Sequence, residues 1–381
     1  MLDGEERRAT EVLFDDLAQR YQVEDQPLTR ELRFLASHGV LYHHAGLLPI
    51  HKEIVERMFN SGRIKLLFCT ETFALGVNMP ARCVIFDSLQ KFDGVDVRWL
   101  KTRDYLQMAG RAGRQGIDEE GLVLSRLDRR DANSPQLQRL LHGDVEPVYS
   151  RFNLSYSTLL NLHLRLGRGV YDAYERSFAR YQAGRRGGAG APRNRVIARR
   201  MRVLQSFGYL DREGVTPRGE LARMINGYEV QITELHAAGI LESLSVNELA
   251  AVFVAILYEA RKGDETDPRP LPRVEKPVKK CIRAWRKEEK RQGLSELVRR
   301  PDFGLNAVAI EWAKGAPFED LLRMTTASEG DLVRTFRMAL QQMRQLRGLL
   351  GPRDPLRSRL RDAVGRMDRD VVDARRQLEL G

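Results

Sequence analysis

Two arginines three residues apart, Arg111 and Arg114, are the part of the sequence best suited to chemistry on a phosphate group. They lie in residues 107–114 (QMAGRAGR), where two glycines add no side-chain bulk beside the arginines. A planar guanidinium fork suits the charge that develops on a transferring phosphoryl group. We therefore interpret both arginines as candidate catalytic groups, with a solvated basic turn as the alternative. On a helix they would share one face with Gln107.

Two further segments give this octet a context. Residues 43–49 read HHAGLLP and residues 70–80 read TETFALGVNMP. Together with residues 107–114, they resemble three motifs of the second RecA-like lobe in superfamily 2 helicases, specifically in the superkiller-like DExH branch. Three specific motifs in the family's order argue against a chance match.

The resemblance implies that ATP and Mg²⁺ bind between two RecA-like lobes and are held mainly by the first. By the same resemblance Arg111 and Arg114 are catalytic, whereas Gln107, Gly76 and Asn78 face the nucleotide. Thr70 and Glu71 would lie at the backbone of the bound nucleic acid. The two histidines, His43 and His44, have no role beyond the motif, and we expect them to be packed or bonded to the backbone.

The sequence lacks the motif by which the first lobe would be recognised. There is no G-x-x-x-x-G-K-[ST] and no Gly-Lys dipeptide, so no P-loop can hold the β- and γ-phosphates. We therefore expect the chain to be the C-terminal portion of a longer helicase, or to work with a separate chain that supplies the first lobe. Alone it should neither bind ATP tightly nor hydrolyse it.

Charge favours a polyanionic partner. The 381 residues carry a net charge of +11, with a pI near 9.7. Seven arginines and no acid lie in residues 184–202, and nine basic residues against three glutamates lie in residues 273–291. We assign Arg185 and Arg186 to nucleic-acid binding. Single-stranded RNA and DNA remain alternatives, and the preference for RNA comes from the family resemblance.

Cysteine usage and hydropathy restrict the location and exclude some site classes. The three cysteines show no metal-ligand spacing, so free thiols are expected rather than a disulfide or a metal site. No apolar run reaches the roughly 20 residues that span a bilayer, and the N-terminus is acidic rather than signal-like. The sequence therefore predicts a soluble, cytoplasmic protein.

Short apolar runs at residues 65–70, 83–86 and 122–125 predict buried parallel strands of an α/β sheet. Its functional loops should follow the carboxyl ends of strands, where we place Thr70 and Gln107. Residues 1–60 read as helices. Asp93-Gly94 predicts a hairpin over residues 92–99, which either parts a duplex, as in processive relatives, or only connects elements.

Beyond residue 140 the pattern is mostly α. We assign residues 1–140 to an N-terminally clipped second RecA-like lobe, 141–225 to a winged helix with a Gly/Arg linker at 184–195, and 226–381 to a C-terminal helical bundle. In the bundle, Ser245 and Glu248 predict a capping box that opens a helix ending near Gly263. Core stripes are predicted at Leu249, Val252, Phe253, Ile256 and Leu257, and at Leu332, Phe336, Leu340, Met343 and Leu346. Trp285 and Trp312 should be buried.

The sequence thus favours the C-terminal part of an ATP-dependent RNA helicase that couples hydrolysis to single-strand translocation and unwinding. Two alternatives remain open. One is a non-enzymatic, basic nucleic-acid-binding protein derived from a helicase, and the other is a DNA-directed helicase of the same architecture.

Overall fold

A computed structural model of the chain describes residues 2–71, 79–92, 96–129, 131–132, 134–150, 154–185, 192–261, 263–266 and 269–373. They form two compact units that divide between Val148 and Tyr149. The first unit mixes strands and helices, whereas the second is mostly helical, so the predicted change from α/β to mostly α is confirmed. No helix in the described part of the chain is long and apolar enough to span a membrane.

The first unit alternates helices with short strands. In chain order these are α1 (Gly4–Arg20), α2 (Pro27–Ala36), β1 (Val40–His43), α3 (Pro49–Asn60), β2 (Leu66–Cys69), β3 (Cys83–Phe86), β4 (Gln90–Phe92), β5 (Val97–Trp99), α4 (Thr102–Ala109), β6 (Leu122–Ser125) and α5 (Pro135–His142). Helices α1, α2 and α3 enclose a core in which Phe14, Leu32, Leu41, Ile54 and Met58 are fully buried.

The strands of this unit form three pairs. β1 and β2 are parallel, with Val40 opposite Leu66, and β3 and β6 are parallel, with Cys83 opposite Leu122. β4 and β5 pair in antiparallel fashion, which confirms the hairpin predicted around Asp93-Gly94. The tip of that hairpin, residues 93–95, lies outside the described residues.

Two expectations for the first unit were wrong. Residues 1–60 are not all helical, because β1 lies between α2 and α3. The strand at residues 65–70 is parallel but not buried, since Leu66 is 42% and Phe68 is 62% exposed. These side chains alternate along β2 and therefore share one face of the sheet. Leu122 and Leu124 of β6 are likewise exposed. The short apolar runs therefore predicted the strands correctly, but wrongly predicted that both faces of each strand are buried.

The second unit is built from helices. They are α6 (Tyr156–Leu166), α7 (Val170–Glu175), α8 (Phe178–Arg185), α9 (Pro192–Ser206), α10 (Pro217–Met224), α11 (Glu229–Ala237), α12 (Val246–Leu257), α13 (Pro272–Arg291), α14 (Asn306–Lys314), α15 (Phe318–Leu322), α16 (Glu329–Leu349) and α17 (Pro355–Met367). Every residue of the two predicted core stripes, on α12 and α16, is buried.

Helix α12 starts as predicted and ends earlier. The hydroxyl of Ser245 accepts the Glu248 N–H, and the Glu248 carboxylate accepts the Ser245 N–H at 2.8 Å, which confirms the capping box. The helix ends at Leu257 rather than near Gly263. Its C-cap Tyr258 is extended, and the Tyr258 carbonyl accepts a hydrogen bond from Arg299. That side-chain donor satisfies a carbonyl at the helix end, where no intrahelical partner exists.

Both predicted tryptophans are fully buried. Trp285 of α13 contacts the rings of Tyr156, Phe207 and Tyr209, with ring centroids 4.5 to 5.3 Å apart. These rings belong to α6 and to the segment that follows α9. One aromatic side chain therefore ties α13 to the helices around residues 154–210.

Candidate functional site: the arginine turn and helix α4

Helix α4 carries Gln107 and leads into residues 110–114, which we call the arginine turn. Its first turn is capped from a distance: the Glu146 carboxylate accepts the N–H groups of Thr102 at 2.8 Å and Arg103 at 3.1 Å. A carboxylate is favoured there because the N–H groups of a first helical turn lack intrahelical partners and the helix dipole is positive. Glu146 thereby fixes where α4 begins.

The two arginines are not on a helix face, contrary to the expectation from their spacing. Helix α4 ends at Ala109, and the Gly110 N–H still bonds to the Leu106 carbonyl. Gly113 then has φ +88°, in the left-handed region that glycine adopts without strain. Arg111 and Arg114 therefore project from a turn past the helix end, while Gln107 is exposed on the last helical turn.

Backbone bonds attach the arginine turn to the residue that follows the 70–80 motif. The Ala81 N–H donates to the Arg111 carbonyl at 2.9 Å, and the Gly113 N–H donates to the Ala81 carbonyl at 2.8 Å. Ala81 directly precedes Arg82 and β3. Two of the three sequence motifs are therefore joined through one residue, although Gly76 and Asn78 themselves lie outside the described residues.

Gly121 lies close behind this turn. A Cβ on Gly121 would come within 2.6 Å of the carbonyl carbon and oxygen of Ala112, closer than real Cβ contacts allow. Gly113 and Gly121 also face each other, since a Cβ on Gly113 would lie 3.2 Å from the Gly121 Cα. Only a residue without a side chain fits at position 121, and the arginine turn depends on it.

Asp118 holds the second arginine. Arg114 Nε donates to Asp118 Oδ2 at 2.8 Å and Nη2 donates to Oδ1 at 2.9 Å, and the Arg114 N–H also donates to Oδ2. These hydrogen bonds lower the pKa of the Asp118 carboxyl to about 2 and raise the pKa of Arg114. The ion pair fixes the plane of the Arg114 guanidinium, and both of its members are charged at neutral pH.

Lys91, which follows the carboxyl end of β3, contacts two acidic side chains. The Lys91 ammonium on β4 lies 2.5 Å from a Glu71 carboxylate oxygen and 3.3 Å from one of Asp104 on α4. Hydrogen bonding to Glu71 raises the pKa of Lys91, although its partial burial opposes this. Lys91 therefore connects the hairpin, the residue after Thr70 and the first turn of α4.

These contacts put different groups at the two ends of β3. Ala81 and the arginine turn lie before its first residue, whereas the hairpin, Glu71 and the start of α4 lie beyond its last. Helix α4, about 12 Å long for eight residues, connects the two ends. The arginine turn is thus beside the amino end of β3, and the prediction that the Gln107 motif follows the carboxyl end of a strand was wrong.

The 43–49 motif is linked to the 70–80 motif across β1 and β2. The Thr70 N–H donates to the His43 carbonyl at 3.2 Å, so both motifs follow the carboxyl ends of adjacent parallel strands, as expected for Thr70. His43 is buried, and its Nε2 lies 3.0 Å from Glu56. His44 Nδ1 accepts the Gly46 N–H. Both histidines are packed or backbone-bonded, as expected from the sequence.

Several residues that build this site were missed from the sequence. Asp118 stands four residues after Arg114, a spacing that could have suggested an ion pair. Gly121 and Lys91 carry no local signal, and Glu146 is more than forty residues from the helix that it caps. The predicted nucleic-acid residue Arg185 ends α8, and Arg186 lies outside the described residues, as does most of the Gly/Arg segment around it.

Two family models match the chain. The helicase conserved C-terminal domain matches residues 16–116, and the DSHCT (NUC185) domain matches residues 212–374. The first match contains α4 and the arginine turn, and the second contains α12 to α17.

Individual relatives agree with these matches. The chain is 43% identical over 183 residues to the human exosome RNA helicase MTR4, 42% over 185 residues to the Arabidopsis thaliana DExH-box ATP-dependent RNA helicase DExH11, and 44% over 155 residues to the human superkiller complex protein 2. These alignments cover 41 to 48% of this chain and only 12 to 17% of the relatives. The chain thus spans a small part of the length of the curated relatives that it matches.

Proposed function

Because this chain belongs to the superkiller-like branch of the superfamily 2 DExH-box helicases, we propose that it forms the second RecA-like lobe and C-terminal domains of an ATP-dependent RNA helicase. The observation that carries the proposal is the arginine turn, which Ala81 and Asp118 hold in place past the end of α4. A fixed guanidinium is what phosphoryl transfer requires, since preorganised charge acts without reorganisation during the reaction.

In this proposal the arginine turn completes a nucleotide site between two lobes. Arg111 and Arg114 stabilise charge on the γ-phosphoryl group, and Gln107, Gly76 and Asn78 line the nucleotide. The P-loop and the Mg²⁺-binding acid come from a first lobe outside these 381 residues, because the sequence holds no P-loop. ATP and Mg²⁺ are therefore cofactors of the complete motor.

The other end of β3 faces the nucleic acid. Thr70 contacts the backbone of the single nucleic-acid strand. Because a carboxylate does not bind phosphate directly, Glu71 either accepts a hydrogen bond from a 2′-hydroxyl or orients Lys91. The β4–β5 hairpin parts the duplex. Residues 141–225 form a winged helix, with Arg185 and Arg186 on nucleic acid, and residues 226–381 form a helical bundle that helps to enclose the strand.

Helix α4 then couples the two activities. Its first turn contacts Lys91 through Asp104, and its last turn leads into the arginine turn. A short rigid helix moves as one body, so a shift at the hairpin end displaces the arginines and a shift at the arginines displaces the hairpin. Translocation along one strand follows if hydrolysis and strand binding alternate at the two ends.

The test is Arg111→Ala in the complete motor, with the P-loop lobe present. RNA-stimulated ATP turnover should fall by about 10³-fold or more, while affinity for single-stranded RNA stays near wild type. Arg33→Ala is the matched control, because Arg33 of α2 forms a half-exposed ion pair with Asp15 of α1 and the proposal gives neither residue a role. Normal turnover with weakened RNA binding would refute the assignment. RNA binding with no ATPase activity in any form would support a non-enzymatic binder instead.

A further inference from the structure

A basic groove runs along α13 in the second unit. Its volume is about 660 Å³, and six cationic side chains line it: Lys279, Arg283, Arg286, Lys287, Lys290 and Arg300. Ile282 and Pro301 supply its apolar floor. Five of the cations come from one helix, and the sixth comes from the segment that precedes α14.

The cations form a row because of their spacing. Lys279, Arg283, Lys287 and Lys290 follow the i, i+4, i+8, i+11 pattern of one helix face, and they extend over about 16 Å of helix axis. The adjacent face of the helix is buried, and Ile282 on it borders the groove; its members are Val274, Val278, Ile282, Trp285 and Glu289. The apolar side anchors α13 in the unit, and the basic side stays open to a ligand.

Most of this charge is not neutralised within the described part of the chain. Lys279 pairs with Glu275, and Arg286 donates to the Val298 carbonyl. No carboxylate among the described residues pairs with the other four cations, Arg283, Lys287, Lys290 and Arg300. Burial, and then the neighbouring charge of Arg300, lower the pKa of Arg286. Like charges held this close repel one another, and a bound anion would relieve the repulsion.

We propose that this groove binds the phosphodiester backbone of RNA, through residues other than those to which the proposed function already gives a role in nucleic-acid binding. A row of cations about 16 Å long suits a polymer of phosphates better than a single phosphate, which one or two arginines would satisfy. The groove offers few base-reading groups, so binding should be independent of sequence. The choice of RNA among polyanions rests on the proposed function, whereas the anion site itself does not.

The test uses the 381-residue chain without ATP. Affinity for a short single-stranded oligouridine is measured by fluorescence anisotropy across a salt series, for wild type and for the triple variant Arg283→Ala/Lys287→Ala/Lys290→Ala. All three residues are exposed, so the fold should be retained, which circular dichroism checks. We expect a loss of about tenfold or more in affinity and a fall of about 2 in the slope of log K against log salt.

The matched control removes three exposed arginines elsewhere in the same unit, Arg323→Ala/Arg353→Ala/Arg361→Ala, and should keep the wild-type slope. An unchanged slope in the groove variant would overturn the proposal. The proposal would also be overturned if the groove bound inositol hexakisphosphate but the groove variant kept normal affinity for RNA. If the complete motor shows no ATPase activity but the groove variant still loses RNA affinity, the proposed function fails and the groove stands.

Discussion

The guanidinium of Arg114 and the carboxylate of Asp118 form a two-pronged ion pair, with N–O distances of 2.8 and 2.9 Å. A third bond from the Arg114 N–H to the same carboxylate closes the loop between them. Asp118 therefore sets both the direction of the side chain and the local backbone. Because the Asp118 pKa is lowered to about 2, the pair persists at all higher pH and is lost only as the pH falls through that value.

Asp118→Asn should release Arg114 without removing it. An amide cannot match the two-pronged charged pair, so the guanidinium would sample other directions. We expect ATP turnover of the complete motor to fall by about 10²-fold, with little change in affinity for RNA. Asp15→Asn removes the carboxylate of a comparable two-pronged pair, which Arg33 forms at a half-exposed position, and should leave turnover intact. Equal ATP turnover in the two variants would show that ATP hydrolysis does not depend on the orientation that Asp118 gives to Arg114.

Gly121→Ala tests the backbone support of the arginine turn. The added Cβ would lie 2.6 Å from Ala112 backbone atoms, so either the turn or the chain before β6 must shift. We expect the first unit to lose about 1 to 3 kcal/mol of stability, seen as a lower unfolding temperature in calorimetry. Gly4→Ala, at the open first position of α1, should be neutral or slightly stabilising. A wild-type unfolding temperature for Gly121→Ala would contradict the close packing.

Lys91→Met should separate unwinding from hydrolysis. The change keeps the aliphatic stem but removes the charge that joins Glu71 to Asp104 at the base of the hairpin. In the complete motor we expect slower strand separation and a weaker stimulation of ATP turnover by RNA, because the link between the hairpin and α4 is lost. ATP turnover without RNA should stay nearly normal, because the arginine turn is untouched. Lys65→Met, which breaks the exposed pair with Glu6, is the control. Unchanged strand separation would show that the hairpin base carries no function.

The sequence predicted what depends on local pattern. The capping box at Ser245, the buried stripes of α12 and α16, and the hairpin around residues 93–94 all follow from periods and turn chemistry within about a dozen residues. The three motifs could likewise be recognised because each is contiguous in the chain, and the roles of their residues stay predictions. Parallel strands were recognised from short apolar runs.

Contacts between distant segments were beyond such reasoning. The spacing of Arg111 and Arg114 fits a helix face, but the turn is bonded to Ala81, some thirty residues away, and that bonding overrides the local preference. The cap on α4 comes from Glu146, and the anchor at the hairpin base comes from Glu71. The prediction that β2 is buried was wrong, because exposure depends on which other elements cover the sheet. The sequence of one strand does not contain that information.

His51 gives the first unit a pH dependence that can be measured on the chain itself. The imidazole is fully buried, its Nε2 lies 2.8 Å from the Thr29 hydroxyl, and burial lowers its pKa from 6.5 to about 4. The unfolded chain takes up a proton near pH 6.5 whereas the folded chain does not, so stability is complete above that value and declines as the pH falls toward 4.

From about pH 7 to about pH 5 this linkage removes about 2 kcal/mol of stability. Hydrogen exchange of peptides from α2 and α3, followed by mass spectrometry, should therefore accelerate at the lower pH after correction for the intrinsic rate. In His51→Gln the amide can still bond to Thr29 but does not titrate, so the acceleration should decrease; burial also lowers the pKa of His43, which contacts Glu56 of α3 and accounts for a remaining part. His142→Gln, at an exposed position, should behave as wild type. Equal acceleration in wild type and His51→Gln would mean that another group governs acid sensitivity in this unit.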